Sequence, residues 1–255
     1  MGYYWAYARD DRPHQGEAAP AVWFQYSDSR KGSEPAKHLK GFKGTLLADA
    51  YAGYNLLLRQ GVKRAGCWAH VRRKFVELTE VAKDSIAADA VKQINALYDI
   101  EREINGLPPD ERRRRRQLEA IPILEQLKAW LDTRIQQCVK RSPLANAIQY
   151  ARKQWPELVR YADDGQIDID NNAVERCIRP LALGRKNHLF AGSAAGGATG
   201  AVMYTLMGTA KLNGINPLAY LTAVLKRINE TPITEVADLL PWNIDLAEAK
   251  YAEAV

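Results

Sequence analysis

Two carboxylates in this 255-residue chain stand where chemistry could be done. Asp49 follows directly on Thr45 to Ala48, a brief apolar run that reads as a strand, and ligands and catalytic groups gather where strands of mixed sheets finish. Glu175 is the one glutamate inside DNNAVERCIRPLALGRKN, Asp170 to Asn187. As a helix with Asp170 as its N-cap, this stretch puts Ala173, Val174, Cys177 and Ile178 on one side and Asn172, Glu175 and Arg179 on the other. Pro180 disfavours helix at Arg179 and is expected to end the element there. Mg²⁺ prefers oxygen ligands and keeps several waters, so a few convergent carboxylates from separate elements suffice to hold it. Two such ions on a phosphodiester can activate the attacking oxygen and stabilise the leaving one. Each carboxylate also has a plainer role. Asp49 could cap the helix expected after AYAGYNLLL, and Glu175 could pair with Arg179 across one turn for a few tenths of a kcal/mol. Spacing alone admits both readings.

Other chemistries find less support. Cys67-Trp68-Ala69-His70 has a CxxH spacing, but Cys138 and Cys177 have no neighbouring Cys or His to complete a zinc site. AGSAAGGATG, Ala191 to Gly200, lacks the GK[ST] ending of a phosphate loop and is expected to be a flexible connection. The net charge is +6, with basic residues clustered at Arg72 to Lys74, at Arg112 to Arg116, and at Arg176, Arg179, Arg185 and Lys186. Such clustering favours an anionic polymer as partner, because neutralised phosphates release counterions. A solvated surface is the plain alternative.

The elements that must position these residues follow from patterning. Tyr3 to Ala8 and Ala21 to Tyr26 read as a β-hairpin around a turn-rich connection, and Glu34 to Leu39 as a short helix. Val62 to Cys67 reads as another strand, with His70 to Leu78 opening a helix. Ile86, Ala90, Ile94, Leu97 and Ile104 fit one amphipathic helix; Leu124, Leu127, Leu131, Ile135 and Cys138 fit another, with Pro108-Pro109 between them. Ser142-Pro143 starts a further helix, and Gln166 to Ile169 is expected to be a short strand. Thr199 to Leu212 is a helix ending at Gly214. Asn216-Pro217 begins another, with Leu218, Leu221, Leu225 and Ile228 on one face.

The length and the 47% hydrophobic content are enough for a substantial core. Three widely spaced cysteines fit a reducing cytoplasm rather than a disulfide framework. No apolar run of spanning length and no signal sequence is visible, so the expected protein is soluble and stays off the membrane.

Four blocks carry a resemblance: LLADAYAGYN (Leu46 to Asn55), CWAHVRRKF (Cys67 to Phe75), IDNNAVERCIRPLALGRKNHLFAGS (Ile169 to Ser193) and TAKLNGINPLAYL (Thr209 to Leu221). Together and in this order they resemble the insertion-sequence 66 family of bacterial transposases. The resemblance implies an α/β fold of RNase H-like type with a mixed sheet and DDE chemistry. The core domain would span 1–198, with a large helical insertion at about 81–162 and the first strand missing, followed by a C-terminal helical element at 199–243 and a tail at 244–255. It implies Asp49 and Glu175 as the second and third acidic residues, both ligands of Mg²⁺ or Mn²⁺. Arg72, Arg73, Lys74, Arg179, Arg185 and Lys186 would then lie near DNA phosphates. The implied partners are the DNA of element ends and target, and further copies or other transposase subunits, at the nucleoid in a bacterial cytoplasm. In the resembling family the first catalytic aspartate lies in a DETP-like segment upstream of GYYWAYARDD, and this sequence begins at Met1 without it. Catalysis by the chain alone is therefore expected to be impaired. The alternative is an inactive remnant that binds DNA or a full-length transposase.

Overall fold

The computed structural model describes residues 2–81, 83–188 and 191–246, with the side chains at 185–188 outside the description. In chain order the strands and α-helices are β1 (Tyr3–Arg9), β2 (Ala21–Ser27), α1 (Ser33–His38), β3 (Thr45–Ala48), α2 (Asn55–Arg59), β4 (Lys63–Gly66), α3 (Trp68–Val81), α4 (Ser85–Glu103), α5 (Pro109–Arg115), α6 (Ile121–Gln137), α7 (Pro143–Lys153), α8 (Trp155–Leu158), α9 (Asn172–His188), α10 (Ala194–Leu212) and α11 (Pro217–Arg227). The fold is mixed α/β and mostly helical. Among the described residues the strands form two two-stranded sheets, β1–β2 antiparallel and β3–β4 parallel. Two compact units result: 1–11, 17–38 and 173–255 in the first, 12–16 and 39–172 in the second.

In the first unit, α10 covers the hairpin. Gly197, Ala201, Thr205, Thr209 and Asn213 recur every four residues and so share one face of α10. The Phe24 N–H donates to Thr205 Oγ1 at 2.8 Å and the Val22 N–H to Thr209 Oγ1 at 3.2 Å. Thr209 Oγ1 also donates to the Val22 carbonyl, and Asn213 Nδ2 to the Pro20 carbonyl at 2.9 Å. A helical step of four residues rises about 6 Å and a strand step of two about 6.6 Å, so the two ladders stay in register over this span. The open edge of β2 is satisfied by helix side chains rather than by a third strand. Glycines let the helix approach: a Cβ at Gly197 would lie 2.4 Å from the Tyr26 ring, and one at Gly208 2.6 Å from Val22 Cγ1. The glycine-rich stretch expected as a connection is therefore the first turns of α10, capped by Ser193 accepting from the Gly196 N–H at 3.0 Å.

Two further expectations change in this unit. Helix α9 continues through Pro180 to His188. The proline removes one backbone donor, but Cys177, Ile178 and Leu181 all pack against the Val22, Phe24 and Ala201 cluster, and that contact carries the helix past it. On α11 the buried face is Tyr220 and Ala223, with Leu221 and Val224 partly buried, whereas Leu218 and Leu225 are 76% and 69% exposed. The Tyr220 hydroxyl donates to the Leu239 carbonyl at 3.0 Å, so an aromatic with a polar tip anchors the helix in place of the leucine stripe. Ile244, at the start of the stretch read as a tail, is buried in the same cluster, and 247–255 lie outside the described residues.

The second unit buries Trp68, Val71 and Phe75 of α3 with Ala87, Ala90, Ile94 and Leu97 of α4, Leu124, Leu127 and Leu131 of α6, and Ile148 and Ala151 of α7. Each large side chain removed from water contributes about 1.5–3 kcal/mol. Asp84 caps α4 by accepting from the Ile86 and Ala87 N–H groups, and Ser142 caps α7. Gln166 to Ile169 forms no strand. Ile167 and Ile169 are buried in alternation, but the Trp68 N–H to Ile169 carbonyl bond at 3.1 Å takes the place of a ladder.

The Arg112 to Arg116 run is largely consumed inside this unit. Arg116 is 0% exposed and donates to both Glu101 carboxylate oxygens, at 2.7 and 2.6 Å, and to the Tyr161 and Asp164 carbonyls. Arg112 donates to the Gly165 carbonyl and to Asp168. Arg114 pairs with Glu111, and Arg115 with Glu119 and Glu103. The burial of two of the five residues explains why a run that reads as solvated or DNA-facing serves instead to close the fold.

Candidate functional site

The parallel pairing of β3 with β4 sets Ala48 opposite Gly66, so Asp49 and Cys67 leave the sheet at the same, carboxyl end. Ala48 is buried and Asp49 half-buried. Asp49 Oδ1 accepts from the Tyr51 N–H at 3.1 Å, an Asx turn that shapes the loop before Ala52. The carboxylate thus fixes its own loop rather than capping α2, whose first turn is preceded by Tyr54 with no side-chain cap, and it also acts electrostatically on its neighbours. Burial first, then the charge of Asp49, pushes the Tyr54 hydroxyl up to about 12. Burial first, then Asp49 and Cys67, likewise raises Tyr150. Lys74 Nζ lies 4.6 Å over the Tyr150 ring, which brings one of the expected basic residues to this end of the sheet.

A second carboxylate stands at the same end. Asp170 Oδ2 accepts from the Tyr98 hydroxyl at 2.9 Å and from Asn172 Nδ2 at 2.8 Å, while Oδ1 accepts from the Asn172 N–H at 3.0 Å. That last bond is an Asx turn leading into α9, which opens at Asn172, one residue later than Asp170 as its N-cap would place it. The Tyr98 bond is the part that sequence reading missed, because its partner lies 72 residues away. Burial, with Asp170 next, raises Tyr98 and keeps it a donor. Burial pushes the Cys67 thiol up to about 11, with Asp170 adding to the shift and backbone hydrogen bonds from Asn171 and His70 opposing it.

Glu175 lies half-buried on α9 in the first unit, whereas Asp49 belongs to the second. Arg176 and Arg179 are exposed on that helix. Arg185 and Lys186 fall in its last turns, where side chains lie outside the described residues. On α3, Arg72 is half-buried and donates through Nε to Asn95 Oδ1 at 2.7 Å, while Arg73 and Lys74 are exposed. No three His, Cys, Asp or Glu side chains converge as a metal site among the described residues.

Residues 1–199 match the family described as the IS66 transposase family, and residues 205–242 match the IS66 C-terminal element. This chain belongs to the IS66 transposase family. Among its relatives are uncharacterized proteins of Sinorhizobium fredii (strain NBRC 101917 / NGR234). Protein y4jD is 41% identical over 94% of this chain and 48% of its own length. Protein y4hP is 38% identical over 97% of this chain and 48% of its own length. The chain spans about half the length of the curated relatives it matches. No solved structure matches it. Among the described residues of this family member, no helix is long and apolar enough to cross a membrane.

Proposed function

We propose that this IS66 family chain is the catalytic-core portion of a DDE-type transposase with an RNase H-like core, in which Asp49 and Glu175 hold Mg²⁺ or Mn²⁺. The observation that carries the reading is the family match across both parts of the chain, taken with the position of Asp49 at the carboxyl end of a parallel strand pair. Both residues are half-buried oxygen donors, which suits a hard cation whose remaining positions are filled by water and substrate phosphate. When bound, the ion polarises the scissile phosphodiester and lowers the pKa of the attacking water or 3′-hydroxyl. The chain's own part is to present the two carboxylates and to hold the strand with Arg72, Arg73, Lys74, Arg179, Arg185 and Lys186. The chemistry would cleave a strand at the element's end and join its 3′-hydroxyl to target DNA.

A second reading is a non-catalytic relative that binds DNA or associates with full-length transposase subunits. It is favoured by one observation: the Asp49 carboxylate already serves its own loop by accepting from the Tyr51 N–H. The test pairs element-end DNA and Mg²⁺ with the chain extended upstream by the family's DETP-like segment. Cleavage and joining are expected in the parent and absent in Glu175→Gln, with DNA binding retained in both. Full strand transfer by Glu175→Gln would refute the assignment.

A further inference from the structure

The second unit carries a groove of about 430 Å³ between α3 and α4, lined by Ala69, Arg72, Arg73, Val76, Asn95, Tyr98, Arg102 and Asn172. Ala69, Arg72, Arg73 and Val76 share one face of α3, and Asn95, Tyr98 and Arg102 one face of α4, so the groove follows from helical spacing on two packed helices. Among the described residues its lining holds three arginines and no carboxylate.

We propose that this groove is a phosphodiester-binding subsite in which the helical insertion supplies Arg102 and positions Arg72. The inference deepens the DNA reading above and rests on it for the identity of the anion.

The way each arginine is held separates these from the buried run. Arg112 and Arg116 meet carboxylates that neutralise them. Arg72 is oriented by the neutral amide of Asn95, which fixes the guanidinium without cancelling its charge. Arg102 pairs with Asp99 three residues before it, with both side chains mostly exposed at 74% and 56%. An exposed pair of that kind is screened by solvent and weakly held, so Arg102 can exchange Asp99 for a phosphate that offers a bidentate bond. Asp170 stands behind the groove wall with the Tyr98 hydroxyl and the Asn172 amide both committed to it, which keeps that wall in place when an anion enters. The groove falls within the size range of pockets that seat small ligands, which suits a phosphate with its attached sugar.

The test titrates a fluorescein-labelled duplex of arbitrary sequence, and separately its single strand, into the 255-residue chain at several salt concentrations. Each phosphate contact removed should flatten the slope of log K against log salt by about 0.9 on duplex and about 0.7 on single strand. Arg102→Ala is expected to flatten it by one such step and Arg72→Ala/Arg102→Ala by two, with Arg114→Ala as an unchanged control. Whichever strand form shows the change is the form the groove takes. A slope and affinity equal to the parent's in the double variant overturn the proposal. If Arg72→Ala disturbs the fold, Arg102→Ala decides alone, because its exposed side chain can be removed without touching the core. A flattened slope beside a fully active Glu175→Gln leaves the groove standing and sinks the catalytic assignment. An unchanged slope beside an inactive Glu175→Gln does the reverse.

Discussion

Replacing Arg116 with methionine separates the structural arginines from those that face solvent. The guanidinium makes two bonds to Glu101 and two to backbone carbonyls, and lies 5.0 Å from the centre of the Tyr161 ring. Its loss leaves a carboxylate with only 10% exposure facing the interior. Removing one partner of a buried pair costs about 3–5 kcal/mol. Arg112 Nη2 stays 3.6 Å from Glu101 and keeps part of the compensation, so the lower end, about 3 kcal/mol, is expected. At about 2–4 °C per kcal/mol for a unit of this size, the thermal midpoint should drop by roughly 6–12 °C. Urea unfolding followed by tryptophan fluorescence measures the loss, since Trp68 is fully buried in the same core. Adding Glu101→Leu should recover part of it by removing the stranded charge. At temperatures where the variant is folded, its DNA affinity should equal the parent's. A loss under about 1 kcal/mol, the worth of an exposed pair, would refute the buried network. A drop in DNA affinity with the stability intact would return the run to the binding surface.

Three other outcomes follow from the packing. Gly165→Ala should destabilise by about 1–3 kcal/mol or more, because its Cβ would fall 1.8 Å from the Pro109 carbonyl oxygen, a backbone atom that cannot step aside; chemical denaturation checks it. Thr209→Val should cost about 1–3 kcal/mol by leaving both the N–H and the carbonyl of Val22 without a partner, read as faster amide exchange at Val22 together with a lower unfolding midpoint. Tyr54 is raised to about 12 in the folded state, so the native chain holds its proton more tightly than the unfolded one. Its contribution is fully present below the ordinary tyrosine value of about 10 and is lost as pH rises towards about 12; Tyr54→Phe should flatten that alkaline limb of the stability profile.

Sequence reading succeeds wherever local chemistry decides. The hairpin strands, Ser142-Pro143 and Asn216-Pro217 each announce themselves through alternation or capping, and the structure places elements there. It fails wherever a distant partner decides. Nothing near Pro180 shows that Leu181 will find Val22 and Phe24, and nothing in AGSAAGGATG shows that Gly197 and Gly200 face tyrosine side chains. The arginine run looked like a surface feature because Glu101 and the carbonyls of 161–165 are far off in sequence. At the candidate site, Asp49 was legible as a carboxylate after a strand. The Asp170–Tyr98 bond and the α3–α4 groove needed two helices to be folded against each other, which periodicity alone does not convey.

The threonine ladder along β2 also sets an order of events during synthesis. Thr205, Thr209 and Asn213 meet partners 181 to 193 residues earlier, so the hairpin emerges from the ribosome long before its edge can be covered. Most of the second unit, 39–172, is contiguous and is complete while α10 is still untranslated. Domains generally fold as units during synthesis. The stretch 39–172 can thus be finished first, while β1–β2 waits as an exposed edge for α10. A nascent chain stalled before residue 205 would carry that edge unprotected, a template for pairing with a neighbour on the same message.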